Sequence, residues 1–261
     1  MREYDFTKQP SILIQGAMES ETAYMTTKLK DLEYITIGNW SFATGFLGRY
    51  SEPVIISRTY QGMVNAAAAT SIALTGFAPR AVINQGLCGG HDKAFHRGDI
   101  VLGEKAVMMS AVEYSYAPEG AGIREAESVP LPIEVFRRSE GVTGTVTEFP
   151  CDEKLLAAAE QAAQGFLERG ESLIARGVIG SADEWNNQLD RIALLRKRCH
   201  TASEDMETAA VAQLCLSYGI PFLGIRILSN SIVNGEDFDE SVAEVCQRFI
   251  VSVVETMHTF F

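Results

Sequence analysis

PVIISRTYQGMVNAAAATSIALTGFAPRAVINQGLCGG, residues 53–90, reads as three elements in succession. Residues 53–62 carry the β-branched run Val54, Ile55, Ile56 and close on a turn at Gly62, which is a strand signature. Residues 63–77 are alanine-rich and predict a helix whose small side chains suit close packing. Residues 80–90 return to a β-branched apolar strand that runs into a glycine loop.

The same alternation extends in both directions. SILIQG (11–16) predicts a strand, and ESETAYMTTKLKDL (19–32) is compatible with a helix. GDIVLGEKAVMM (98–109), ARGVIGS (175–181) and PFLGIRILSN (221–230) predict further strands. DEKLLAAAEQAAQGFLERG (152–170) places apolar residues at 155, 156, 159, 162, 163, 166 and 167, an amphipathic helix with Asp152 as its N-cap. A long helix is expected over 239–259. Residues 114–150, rich in Glu, Pro and Gly, predict a surface excursion or lid. This alternation predicts an α/β fold, one domain over 1–261, with a mostly parallel mixed central sheet flanked by helices. Glycines at 16, 62 and 86 end three strands, and ligands in such sheets bind beyond the carboxyl ends of the strands.

Composition narrows the function. Of 261 residues, 46% are hydrophobic, enough for a substantial core, and the mean hydropathy of +0.03 suits a globular chain. No apolar run approaches the roughly 18–20 residues of a membrane span, and MREYDFTKQP lacks the apolar stretch of a secretory signal; a cytoplasmic protein is expected. The net charge of −12 disfavours a nucleic-acid partner, and the basic run RIALLRKRC reads as one face of a surface helix. Five cysteines without CxxC spacing indicate neither a disulfide framework nor a zinc site. His91 and His96, in GGHDKAFHRGD, read as structural loop histidines.

NQGLCGG alone is neither GxGxxG nor a P-loop. Five segments in order carry more: GAMESE after the first strand, INQGLCGG after the third, SADEW in mid-chain, EDMETAA opening a helix, and RILSN closing the last core strand. In that order and spacing the chain resembles the nucleoside phosphorylase/nucleosidase superfamily, most closely its methylthioadenosine/S-adenosylhomocysteine nucleosidase branch. The resemblance runs from about Ile12 to the C-terminal helix. Met206-Glu207 matches the superfamily's EMEA segment and GAMESE the nucleosidases' GAMEEE.

The resemblance implies a cofactor-free enzyme that hydrolyses the N-glycosidic bond of a 5′-modified purine nucleoside. It assigns Glu207 to the ribose hydroxyls and Met206 to the sugar face. An electron-rich carboxylate there also stabilises the positive charge that develops as the bond breaks. Glu19 matches the glutamate that activates the attacking water, and Arg226 an arginine near water and ribose, or else an ion-pair partner for Asp205 or Glu207. Trp185 falls where the family stacks an aromatic ring on the base, worth about 1–3 kcal/mol, with Asp183 supporting that pocket and Gly86 allowing close approach of a ligand. The family's homo-oligomers imply one here, with 109–125 as the interface region.

Two departures bear on substrate. The nucleosidases end the last core strand in Ser-Asp, whose aspartate protonates the leaving purine; here Ser229-Asn230 stands, and an amide has no proton to give. That leaves 6-oxopurine nucleosides open beside adenine ones. Leu87 replaces a serine that faces the nucleophile in relatives, and the arginines that grip phosphate in phosphorylases have no counterpart at the first loop or at Asn84. Hydrolysis is favoured; phosphorolysis, and nucleoside binding with little turnover, are the alternatives.

Overall fold

The computed structural model describes residues 12–167 and 172–257. In chain order the strands are β1 (Ile12–Gly16), β2 (Leu29–Ile37), β3 (Trp40–Leu47), β4 (Pro53–Arg58), β5 (Ala81–Gly90), β6 (Ile100–Met108), β7 (Val112–Glu113), β8 (Val129–Pro130), β9 (Ile133–Arg137), β10 (Val142–Val146), β11 (Phe149–Pro150), β12 (Ile174–Ser181), β13 (Thr201–Asp205) and β14 (Phe222–Asn230). The helices are α1 (Ala23–Lys28), α2 (Met63–Phe77), α3 (Glu153–Leu167), α4 (Leu189–Cys199), α5 (Thr208–Tyr218) and α6 (Ala243–Thr256).

The strand–helix–strand unit of 53–90 is β4–α2–β5, and β1 lies between its two strands, parallel to both. Buried on both faces, β1 and β5 need continuous apolar runs, and Ile12, Leu13, Ile14, Val82 and Ile83 supply them. The ten-stranded sheet is mixed: β1, β4, β5 and β14 run parallel, while β2 and β3 form an antiparallel edge. On the other side it closes on itself. β5 pairs with β14, β14 with β6, β6 with β12, β12 with β13, and β13 returns antiparallel to β5 at Gly89 and Gly90. This ring explains why Gly86 does not end its strand: partners on both sides carry β5 on to Gly90.

The alanine-rich face of α2 packs on α5, both helices burying small residues such as Ala66, Ala73, Ala209 and Ala212. Phe77 meets Phe42 edge-to-face at 5.1 Å between ring centres, a geometry that adds about 0.5–1.5 kcal/mol beyond burial. Asp152 caps α3, its Oδ1 accepting from Lys154 N at 2.9 Å and Leu155 N at 3.0 Å. Residues 168–170 of the predicted helix, and 258–259 of the last one, lie outside the described residues.

Two expectations are corrected. Residues 19–32 are not one helix: a 3-10 turn at Glu19–Glu21 and the six-residue α1 give way at Leu29 to β2, because pairing with β3 captures LKDLEYITI. Residues 114–150 hold β8, which pairs with β7, the β9–β10 pair, and β11, which joins the central sheet beside β6; none of them lines the cleft described below, so they are not its lid. Among the described residues no helix is long and apolar enough to cross a membrane.

Candidate active site

A cleft of about 650 Å³, counting its open mouth, lies beyond the ends of β1, β5, β13 and β14. Ala17, Met18 and Glu21 enter it from the turn after β1, Leu87, Cys88 and Gly89 from β5, Glu204–Glu207 from β13 and the start of α5, and Ser229 and Asn230 from β14. Gln61, residues 184–186 and Phe238 complete the wall. Its lining, apolar side chains with a few convergent carboxylates and amides, suits a small-molecule ligand.

The segment EDMETAA places two carboxylates on opposite duties. Asp205 turns inward. Its Oδ1 accepts from the Glu207 and Thr208 N–H groups, both at 3.1 Å, and from Ser181 Oγ at 2.5 Å, so it satisfies the opening donors of α5. Its Oδ2 pairs with Arg226 Nε at 2.5 Å, and both side chains are almost wholly buried. With that capping done elsewhere, Glu207 is released toward the cleft. Its Oε1 accepts from Gly62 N at 2.9 Å and its Oε2 lies 3.8 Å from Arg226 Nη2. Burial raises the Glu207 carboxyl to about pKa 7, with Arg226 opposing the rise and Asp205 and Glu21 adding to it. Met206 lines the cleft beside it.

Arg226 itself does not reach the cleft wall. It is 1% exposed and donates to Thr208 Oγ1 at 2.9 and 3.0 Å and to Asn84 Oδ1. It is a positioning residue beneath the carboxylates, which corrects its assignment to the reacting groups in favour of the ion-pair reading.

The expected first-strand glutamate is also corrected. Glu19 points outward, its side chain 78% exposed and paired with Arg58 at 3.1 Å. The 3-10 turn instead folds Glu21 back under the end of β1. There Oε2 accepts from Ala17 N at 2.6 Å and Met18 N at 2.9 Å, and Oε1 from Leu87 N at 2.7 Å. Burial raises its pKa, against the pull of Arg226 and of those three N–H bonds. Gly86 makes room for this: it has φ +151°, and a Cβ there would lie 2.6 Å from Arg226 Nη1 and within contact of the Glu21 carboxylate. Gly86 therefore sits under the site and does not line it. Leu87 does line it.

Trp185 lies at the mouth, 60% exposed, its ring centre 5.6 Å from that of Phe238. Phe238 was not foreseen; a lone aromatic inside the acidic stretch GEDFDE was the available signal. Asp183, expected to support a base pocket, does not line the cleft. Its Oδ1 accepts from Met63 N at 2.8 Å and so, beside Glu207 on Gly62 N, ties down the start of α2. Asn230, 6% exposed, lines the cleft with its Oδ1 3.1 Å from Ser229 Oγ. Among the described residues no lysine or arginine lines the cleft, and no group of three or more His, Cys, Asp or Glu side chains is placed to hold a metal ion.

Comparison with known proteins agrees with this architecture. A 5′-methylthioadenosine/S-adenosylhomocysteine nucleosidase of Bacillus cereus (strain B4264) is 30% identical over an alignment of 256 positions that covers 94% of this chain and 99% of that one. The solved structure of a nucleosidase of the same name from Colwellia psychrerythraea 34H, in complex with adenine, superposes with a TM-score of 0.75 at 25% identity, covering 95% of this chain and 96% of that one. The Neisseria meningitidis nucleosidase shares the fold, with a TM-score of 0.76 at 24% identity over 94% of this chain and 99% of that one. Residues 11–257 match the phosphorylase superfamily, and the chain belongs to that family.

Proposed function

We propose that the protein hydrolyses the N-glycosidic bond of a 5′-modified purine nucleoside and releases the free base. The observation that carries this is the pair of buried carboxylates, Glu21 and Glu207, in a cleft whose nearest cation, Arg226, is already bound to Asp205. Such a wall suits a neutral water and a sugar that becomes positive, and it opposes an incoming phosphate. The relatives named above support the same reading.

In this mechanism Glu21, whose carboxyl is raised by burial above the ordinary carboxylate range, takes a proton from the attacking water as the oxygen bonds to C1′. Glu207 accepts hydrogen bonds from the ribose hydroxyls and stabilises the cationic sugar, and Met206 packs on the ring. The C1′–N9 electron pair leaves with the purine, held by Trp185 and Phe238 at the mouth and by Asn230 at its edge. The apolar side chains of Met18 and Leu87 suit a thioether at the 5′ position. The same reading makes the protein a cytoplasmic homo-oligomer, with 109–125 in the interface.

The test is a panel of adenine and 6-oxopurine nucleosides, with and without 5′-methylthio groups, assayed for free base in the presence and absence of phosphate. Release without phosphate is expected. Glu21→Gln lowers kcat by about 100-fold or more, whereas Glu19→Gln stays within about threefold, as befits an exposed ion pair. Release only with phosphate makes the protein a phosphorylase. Saturable binding without release makes it a nucleoside-binding protein.

A further inference from the structure

The mechanism depends on where Glu21 points, because most of its capacity to accept hydrogen bonds is already taken. An ionised carboxylate offers roughly four lone-pair sites. In Glu21 three backbone N–H groups occupy such sites, those of Ala17 and Met18 on Oε2 and that of Leu87 on Oε1. The site left for a water lies on Oε1, and its direction follows the orientation of the 3-10 turn Glu19–Glu21. A turn of this length is too short to hold itself by helical bonds alone.

Two buried amides grip the turn from neighbouring elements. On α6, Gln247 is 1% exposed, and its Nε2 donates to Ser20 O at 2.7 Å and to Ala243 O of its own helix at 3.3 Å. Its Oε1 accepts from Met25 N at 3.2 Å, one of the N–H groups at the opening of α1. Gln247 therefore spans the turn from one flank to the other. On β5, the fully buried Gln85 donates from Nε2 to Glu21 O at 2.6 Å. The peptide carbonyls before and after the Glu21 Cα are thus each fixed by an amide that does not itself line the cleft.

We propose that Gln247 and Gln85 are positioning residues for the hydrolysis: they clamp the Glu21 turn from α6 and β5 and so aim the remaining lone pair of the base at the attacking water. The base acts along that one direction, and a displacement of about 1 Å in a reacting group lowers the rate on the order of 100-fold. Sugar and purine are held elsewhere, by Glu207, Met206 and Trp185. Loosening the clamp therefore slows the chemical step and spares binding.

This inference rests on the assignment of Glu21 as the base, and its test separates the two. Gln247→Met keeps the length of the side chain and removes both bonds to the turn. With 5′-methylthioadenosine and 5′-methylthioinosine as substrates, its kcat is expected to fall about tenfold or more, with KM within about threefold of wild type. Amide exchange followed by mass spectrometry needs no substrate. Residues 17–22 are expected to exchange about tenfold or more faster in Gln247→Met, while 203–210, around Glu207, keep the wild-type rate. Val253→Ala, a buried change further along α6, loosens the packing of that helix and removes no bond to the turn. Its kcat stays within about twofold of wild type although it melts lower. Wild-type kcat in Gln247→Met, a rise in KM that accounts for the whole loss, an equal loss in Val253→Ala, or unchanged exchange at 17–22 overturns the inference. Should Gln247→Met not fold, Gln85→Met, which removes the other bond to the turn, carries the same expectations. If wild type releases no base from either nucleoside, the hydrolytic reading falls, and the exchange rates alone decide whether the clamp stands.

Discussion

Glu207 gives its backbone to the start of α5 and its carboxylate to the cleft, and the second use is costly to the fold. Its pKa of about 7 stands above the ordinary 4.5 because burial penalises the anion. Between those values the folded chain holds a proton that the unfolded chain has released, so this residue makes stability fall as pH rises through that window. Glu207→Gln is expected to melt about 2–4 °C above wild type at pH 8, a gap worth ~1 kcal/mol that closes near pH 5. Its activity falls by about 100-fold or more, and wild-type kcat/KM rises with pH through about 7 as the carboxylate ionises. Thermal melts at the two pH values check the sign; a gap that widens on acidification contradicts it. At this scale the places of Glu207, Met206, Leu87, Trp185 and Asn230 in the cleft wall were legible because each has a fixed position in a motif at a strand or helix end. Glu19 and Glu21 were not separable: they lie two apart in GAMESE, and only the 3-10 turn decides which one folds inward.

The elements that carry the cleft are held by side chains that never enter it. Asp183 is the plainest case, accepting the Met63 N–H at the first turn of α2, where a negative charge also suits the helix dipole. Asp183→Ala is expected to cost about 1 kcal/mol in urea unfolding, as loss of a capping side chain does, while nucleoside KM changes by less than about twofold. A tenfold rise in KM with unchanged stability would return Asp183 to the base pocket. The helix α2 was legible from its alanine-rich composition, and α3 from its 3.6-residue apolar pattern and its Asp152 cap. β2 was not, since residues 19–32 fit a helix locally and become part strand only through β3, a partner supplied by the tertiary fold. Gly86 was misread for the same kind of reason. Its positive φ and its closeness to Arg226 arise inside a strand that β14 pairs past this point, which no local turn signal reports.

For the molecule as a whole, the α/β class follows from the alternation, whereas closure of five strands into a ring depends on pairings such as β13 with β5 that lie more than a hundred residues apart. The excursion between β6 and α3 exposes Tyr114, Tyr116 and Ile123 on a surface that does not line the cleft. If that region joins copies of the chain, light scattering gives a dimer or larger for wild type, and Ile123→Glu weakens the assembly about tenfold or more. A monomer at micromolar concentration speaks against it.

The ring also sets an order of events during synthesis. β13 and β14 are its last strands to leave the ribosome, and until both arrive β5 has unpaired edges while Glu21 lacks the buried setting that lifts its pKa. A nascent chain released before residue 230 would thus present sticky strand borders and no nucleoside pocket, a substrate for chaperones and not a partial enzyme.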